Sequence, residues 1–227
     1  MKLVAIFATL AVAAQAADAD LEKMRDRQDK AGIEQSIAML SAEARKKSSD
    51  ASIQYRLALA HHYLAEVALE ENDRARARDA AENGIRAAER AIALKPASAE
   101  YHRIRGTLCG QVIPANVLAG LRYGRCAMDE INKALELDPK SARVWMSKGV
   151  GNYYLPPAFG GGVELAIRDF QKALQLDPRL ADAHLWLGIA LRKANRPAEA
   201  RRALEKAIEL NPRRVWAARQ LGKTPGK

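Results

Sequence analysis

Prolines 178 and 212 stand 34 residues apart, and the same arrangement of small and apolar residues leads up to each. Ala166, Phe170 and Ala173 precede Pro178; Ala200, Leu204 and Ala207 precede Pro212. The same steps recur as Ala127, Ile131 and Ala134 before Pro139 and, in weaker form, as Gly84, Ala88 and Ala91 before Pro96. A period of this length marks a stacked helical repeat, in which each unit buries its apolar face only by leaning on its neighbours. The chain is therefore expected to be all-α. Aromatic residues make up only 5% of it, which fits tightly packed helices, and no stretch alternates with a period of two as a strand would.

The helix that opens each unit carries a second pattern. After Pro178 come Ala181, His184, Leu187, Gly188 and Leu191. After Pro139 come Ala142, Trp145, Lys148, Gly149 and Asn152, and after Pro96 come Ala99, His102, Arg105, Gly106 and Cys109. On these residues the chain resembles the tetratricopeptide repeat family, whose unit runs large residue, Leu-Gly, Tyr, small Ala, aromatic, Ala, Pro. Unit 181–212 matches best and departs at His184, where the family has an aromatic, and at Leu191, where it has Tyr. The small residues let two helices approach closely, larger side chains fill the holes, and proline ends the second helix. The resemblance covers about Ala51 to Leu221 and is strongest from Ala99 onward. It implies a right-handed superhelical solenoid of antiparallel helix pairs. The expected units are about 51–96, 99–139, 142–178 and 181–212, with a capping helix over 215–221 and a frayed tail over 222–227. Residues 20–31 and 33–47 read as a helical pair within an N-terminal cap over 17–50.

Met1-Lys2, an apolar run from Leu3 to Ala14 and the small-x-small triplet Ala14-Gln15-Ala16 have the form of a secretory leader cut after Ala16. The apolar run is shorter than the about 20 residues that span a bilayer. With the Ala- and Arg-rich composition, the leader points to an exported bacterial protein, periplasmic or secreted. The net charge of +10 favours anionic partners, although Arg74, Arg76, Arg78, Arg86 and Arg90 on one helix also fit a solvated face. Nucleic acid is not expected, since no stacking module or recognition motif is present. Cys109 and Cys126 leave two readings open. One is a disulfide worth about 3 kcal/mol in an oxidising compartment; the other is a pair of small buried side chains.

The interval from Pro96 to Pro139 is 43 residues and that from Pro139 to Pro178 is 39, so both exceed the period. The additions are expected between the two helices of a unit, within 111–125 and within 153–162. Both are apolar. They pack together as a satellite core, or they wall a pocket with Tyr123, Tyr154 and Phe159. The resemblance implies a concave groove that binds peptides. Its lining would include Arg103 and Thr107, then Arg143, Met146, Val150 and Tyr153, then Leu185, Ile189 and Arg192. Such a groove suits a protein or peptide with an acidic end. The family's Lys/Asn/Arg clamp for a terminal carboxylate is missing, because Met146 and Val150 hold two of its places.

His61, His62 and Glu66 share a helix, but zinc needs three or four converging ligands. No metalloprotease helix, nucleophile elbow or dinucleotide fingerprint is present. No catalytic, cofactor or metal residue is assigned, and the chain is read as a non-enzymatic interaction scaffold. The alternative is a periplasmic small-molecule carrier or transporter accessory that uses the insert pocket.

Overall fold

A computed structural model describes residues 18–115 and 117–226. The leader and its cleavage site lie outside the described residues. Those described form eleven helices and no strand. They are α1 (18–26), α2 (Lys30–Lys46), α3 (Ala51–Glu70), α4 (Arg74–Leu94), α5 (Ala99–Val112), α6 (Val117–Leu137), α7 (Ala142–Tyr154), α8 (Val163–Leu176), α9 (Ala181–Lys193), α10 (Pro197–Leu210) and α11 (Val215–Gly222). The first pair is divided at 27–29, earlier than its sequence pattern suggests, because Asp29 caps α2 by accepting from Gly32 N at 2.9 Å. Asp50, Asp73 and Ser141 cap α3, α4 and α7 in the same way. Asn72 and Asn195, with φ of 63° and 58°, turn the chain after α3 and α9. Asparagine is tolerant of that left-handed conformation.

α3 packs on α4, α5 on α6, α7 on α8 and α9 on α10. The opening helices of successive units also touch one another, α3 on α5, α5 on α7 and α7 on α9, which makes them one layer of a two-layer solenoid. A glycine on each of the opening helices α5, α7 and α9 sets the spacing of its pair. A Cβ on Gly149 would lie 2.5 Å from Phe170 Cε1, and one on Gly188 2.6 Å from Leu204 Cγ. Phe170 and Leu204 are fully buried there. The departure at His184 is chemically conservative. His184 Nε2 donates to the Pro178 carbonyl at 3.0 Å, as Trp145 Nε1 does to Pro139 at 2.9 Å and His102 Nε2 to Pro96 at 2.9 Å. What the position requires is a ring N–H that reaches the preceding proline.

The two additions differ from one another. Most of the first is helical: α5 runs to Val112, Ile113–Ala115 forms a 3₁₀ turn that takes up Pro114, and α6 starts at Val117, inside the span 111–125 assigned to the addition. The second is a short 3₁₀ turn, Pro157–Phe159, followed by Gly160 and Gly162 at positive φ. Phe159 is 74% exposed and Tyr154 64%, so neither side chain joins a satellite core. Cys109 of α5 and Cys126 of α6 form a disulfide, with Cα atoms 6.0 Å apart. In the tail read as frayed, Thr224 is buried, because its hydroxyl donates to the Gln220 carbonyl at 2.9 Å and accepts from Arg192 at 3.2 Å. Among the described residues no helix is long and apolar enough to cross a membrane.

Candidate functional site: the concave face

The concave layer is crossed by α1. Leu21 of this helix is buried in the core that α3 and α5 share. Asp18 accepts from Arg56 Nε of α3 at 3.1 Å. At the other end Arg25 donates to Asp182 of α9 at 2.7 Å, and its guanidinium lies 5.2 Å from the centre of the Tyr63 ring. Asp26 accepts from Asn211 Nδ2 at 2.7 Å, and Gln28 Nε2 donates to Glu70 at 2.7 Å. The first helix thus joins the two ends of the solenoid.

Arg214 completes the junction. It follows the last repeat proline by two residues, and its side chain is 2% exposed. It pairs with Glu66 at 2.9 Å and with Glu70, and it stands 3.5 Å from Asp182 and 3.8 Å from Asp26. Two guanidiniums and four carboxylates are therefore enclosed together, with an excess of negative charge. Burial, opposed by Arg214 and helped by the neighbouring Glu66, raises the Glu70 carboxyl to about 7. Burial also acts to raise Asp182, yet Arg25 and Arg214 outweigh it and hold that carboxyl at about 2. Glu70 and Asp182, both unremarkable acids in the sequence, are thus pushed in opposite directions by the fold.

A second polar group lies further along the layer. Glu100 accepts both Arg103 Nε at 2.7 Å and Arg103 Nη2 at 2.6 Å, and it accepts from the Tyr55 hydroxyl at 3.0 Å. Although burial opposes it, Arg103 holds the Glu100 carboxyl below its ordinary value. Arg103 Nη1 also reaches Ser147 at 3.3 Å, which Thr107 approaches at the same distance. Arg143 is exposed at the start of α7, and its charge acts on Asp18, Tyr63, Glu100 and Asp182 together. It is an open cation on this face.

The sequence-derived lining is therefore divided. Arg103, Thr107 and Arg143 stand on the concave face with α1. Met146, Val150 and Tyr153 are partly buried against α8 and α9. Leu185 and Ile189 are buried against α10 and α11, and Arg192 donates to the Gln220 carbonyl at 2.9 Å and side chain at 2.6 Å. An aromatic ledge continues from Tyr153 and Tyr154 to Trp186 and Trp216, with ring centres 5.0 to 6.1 Å apart and Lys193 Nζ 4.2 Å above Tyr153. Tyr123 lies elsewhere, donating to Glu82 at 3.2 Å. Two clefts open between α2, α3 and α4, and neither is lined by Tyr123, Tyr154 or Phe159. His62 Nδ1 is 3.1 Å from Gln111 Oε1, and burial holds its ring below the ordinary value.

Sequence reasoning missed α1 as a groove element and missed the enclosed charges. The signal present was Arg25-Asp26 and Arg214, charged residues that a local pattern assigns to solvent.

Comparison with known proteins follows the same division of the chain. The family model described as "Regulator of microtubule dynamics protein 1-3" matches residues 14–155, more than half of the chain. Tetratricopeptide repeat models match 160–195 and 181–214. No curated protein matches the sequence. Among solved structures, the chain is similar to TTC0263, a tetratricopeptide protein of Thermus thermophilus, with 16% identity, a TM-score of 0.60 and coverage of 88% of this chain and 98% of that one. It is also similar to the HusA haemophore of Porphyromonas gingivalis, with 17% identity, a TM-score of 0.57 and coverage of 76% and 93%. These likenesses establish the fold. The helical solenoid, its repeat signatures and the extended match over 14–155 together place the chain in the regulator of microtubule dynamics protein 1-3 family, with tetratricopeptide repeats in its C-terminal part.

Proposed function

We propose that this chain is an exported scaffold that holds a helical segment of a partner protein on its concave face, where α1 now lies. The observation that carries the reading is the way α1 is held. An apolar residue, Leu21, is buried against α3 and α5, and flanking charges Asp18, Arg25 and Asp26 are matched by Arg56, Asp182 and Asn211. A groove that satisfies one short amphipathic helix in this way suits another of similar pattern. The open Arg143 and the chain's net charge of +10 favour an acidic one. Export is supported by the leader-like residues 1–16 and by the Cys109–Cys126 disulfide, which suits an oxidising compartment. The family description names microtubule dynamics; the partner here is defined by its chemistry.

Native mass spectrometry of the protein purified gently from its own host tests the reading. A bound species of several kilodaltons, lost in Arg143→Glu and enriched in Arg25→Glu, is expected. Capture that is the same in all three proteins would refute it. N-terminal sequencing of the same sample tests export, with Ala17 as the expected first residue.

The carrier reading draws on one observation, the exposure of Phe159 and of Tyr154, whose ring packs beside Trp186. It predicts a few hundred daltons of bound mass, lost in Phe159→Ala and kept in Arg143→Glu.

A further inference from the structure

Away from the concave face, α2 and α4 both pack on α3, and a furrow opens between them. Its floor is one stripe of α3, including Gln54, Leu57 and His61. The walls change sign along its length. Toward the start of α4 they carry carboxylates, with Arg76 bound to Glu34 at 3.1 Å and to Asp73 at 3.3 Å. At the other end the furrow deepens into a cleft of about 410 Å³ lined by Arg45 of α2 and by Arg86 and Arg90 of α4, one turn apart, with no Asp or Glu in its lining. None of these three guanidiniums is paired with a carboxylate among the described residues; Arg86 is bound only to the Asn83 side chain.

The floor of the cleft is equally unmatched. Gln54 is 2% exposed, and its Oε1 has no hydrogen-bond partner; His61 Nδ1 has none either. Burial, with the adjacent Arg86, holds the His61 ring at about 4, so it is neutral at physiological pH. A buried acceptor without a partner is costly, and a group bound above it that donates a hydrogen bond removes the cost.

The geometry points to a binding site for a small hydroxylated phosphomonoester of the sugar-phosphate class. The phosphate sits among Arg45, Arg86 and Arg90, whose planar forks match its oxygens. The sugar lies on the floor, where a turn of the Gln54 amide and of the His61 ring brings Oε1 and Nδ1, both enclosed in the structure, to its hydroxyls, and Leu57 covers its C–H face. The cleft has the volume of a small-ligand pocket. Inorganic phosphate satisfies the arginines and leaves the floor unsatisfied. That difference separates a built site from an adventitious ion.

Isothermal titration of the disulfide-bonded full chain with glucose 6-phosphate, glucose and inorganic phosphate tests the assignment. Glucose 6-phosphate is expected to bind at least about tenfold more tightly than inorganic phosphate, and glucose alone not at all. Arg86→Glu with Arg90→Glu changes exposed side chains, keeps the fold and should weaken sugar-phosphate binding by about a hundredfold. Gln54→Met should erase the preference over inorganic phosphate and retain phosphate binding. Equal affinity for the two phosphates, meaning an adventitious ion only, would overturn the proposal. So would the absence of binding at about 10 mM, or binding unchanged by the arginine substitutions. The result bears on this furrow alone, because the concave face and its partner are tested by Arg143→Glu.

Discussion

Replacing Arg214 by methionine is the most informative single perturbation of the closed junction. The side chain is 2% exposed and lies within 4 Å of Glu66, Glu70, Asp182 and Asp26. Methionine fills much of the same volume and removes the charge. Arg25 then stands alone against four carboxylates. Breaking a buried ion pair by deleting one partner costs about 3–5 kcal/mol, chiefly because the remaining charge stays buried. The upper half of that range is expected at pH 8, where Glu70 is ionised. The loss should shrink toward acid. Glu70 titrates at about 7 in the fold against an ordinary 4.5. Its protonated form is therefore favoured by folding, and the associated stability is present below about 4.5 and lost as pH rises through 7. In the variant this group loses its strongest cationic neighbour, so its carboxyl moves higher still and the acid rescue is larger. Urea unfolding of wild type and Arg214→Met at pH 5.5 and 8.0 measures both effects, and adding Glu70→Gln to Arg214→Met should recover about 1–3 kcal/mol at pH 8. A loss below about 1 kcal/mol, or one independent of pH, would refute the enclosed-charge account.

Further expectations concern packing and the disulfide. Gly188→Val places carbon 2.6 Å from Leu204 Cγ and 3.0 Å from the Ala200 carbonyl oxygen, and should cost about 1–3 kcal/mol by thermal unfolding. Gly151→Ala meets nothing within 4 Å on an exposed helix surface, and should gain about 0.5–1 kcal/mol. Reducing the Cys109–Cys126 bridge, whose partners are 17 residues apart, should lower stability by about 3 kcal/mol while leaving far-ultraviolet circular dichroism unchanged. In wild type, stability in urea should fall between pH 5 and 8 to the extent that Glu70 sets it, and fall again in strong acid as Asp182 is protonated near 2.

The pair architecture was legible in the sequence because its determinants are local and periodic. Gly149 and Gly188 mark where helices approach, and the prolines mark where each unit ends. His184 reads as a departure only when the position is thought of as aromatic; as a ring N–H donor to Pro178 it conforms. The first addition reads as lying between two helices over 111–125, whereas a 3₁₀ turn over Ile113–Ala115 absorbs Pro114 and Val117 onward is already helix. The concave face was half legible. Arg103 and Arg143 follow from the register of the repeat, but their partners do not. Arg25 meets Asp182 across 157 positions and Asp26 meets Asn211 across 185. No periodic pattern encodes such a pairing, and Arg214 looks like any surface arginine until the superhelix brings Glu66 and Glu70 to it.

Tying the two ends together changes what kind of polymer the repeats make. An open solenoid behaves as a one-dimensional row in which terminal units melt first and interior ones last, and in which a unit can be removed from an end at modest loss. Here Arg25, Asp26 and Arg214 make the terminal units neighbours of one another. The row is thereby tied across its concave face, with side chains of α1 and Arg214 joining α3 to α9 and to the turn before α11. Deleting either end breaks this tie, so unfolding is expected as a single cooperative event, and hydrogen exchange in α3 and α9 should rise together when α11 is removed.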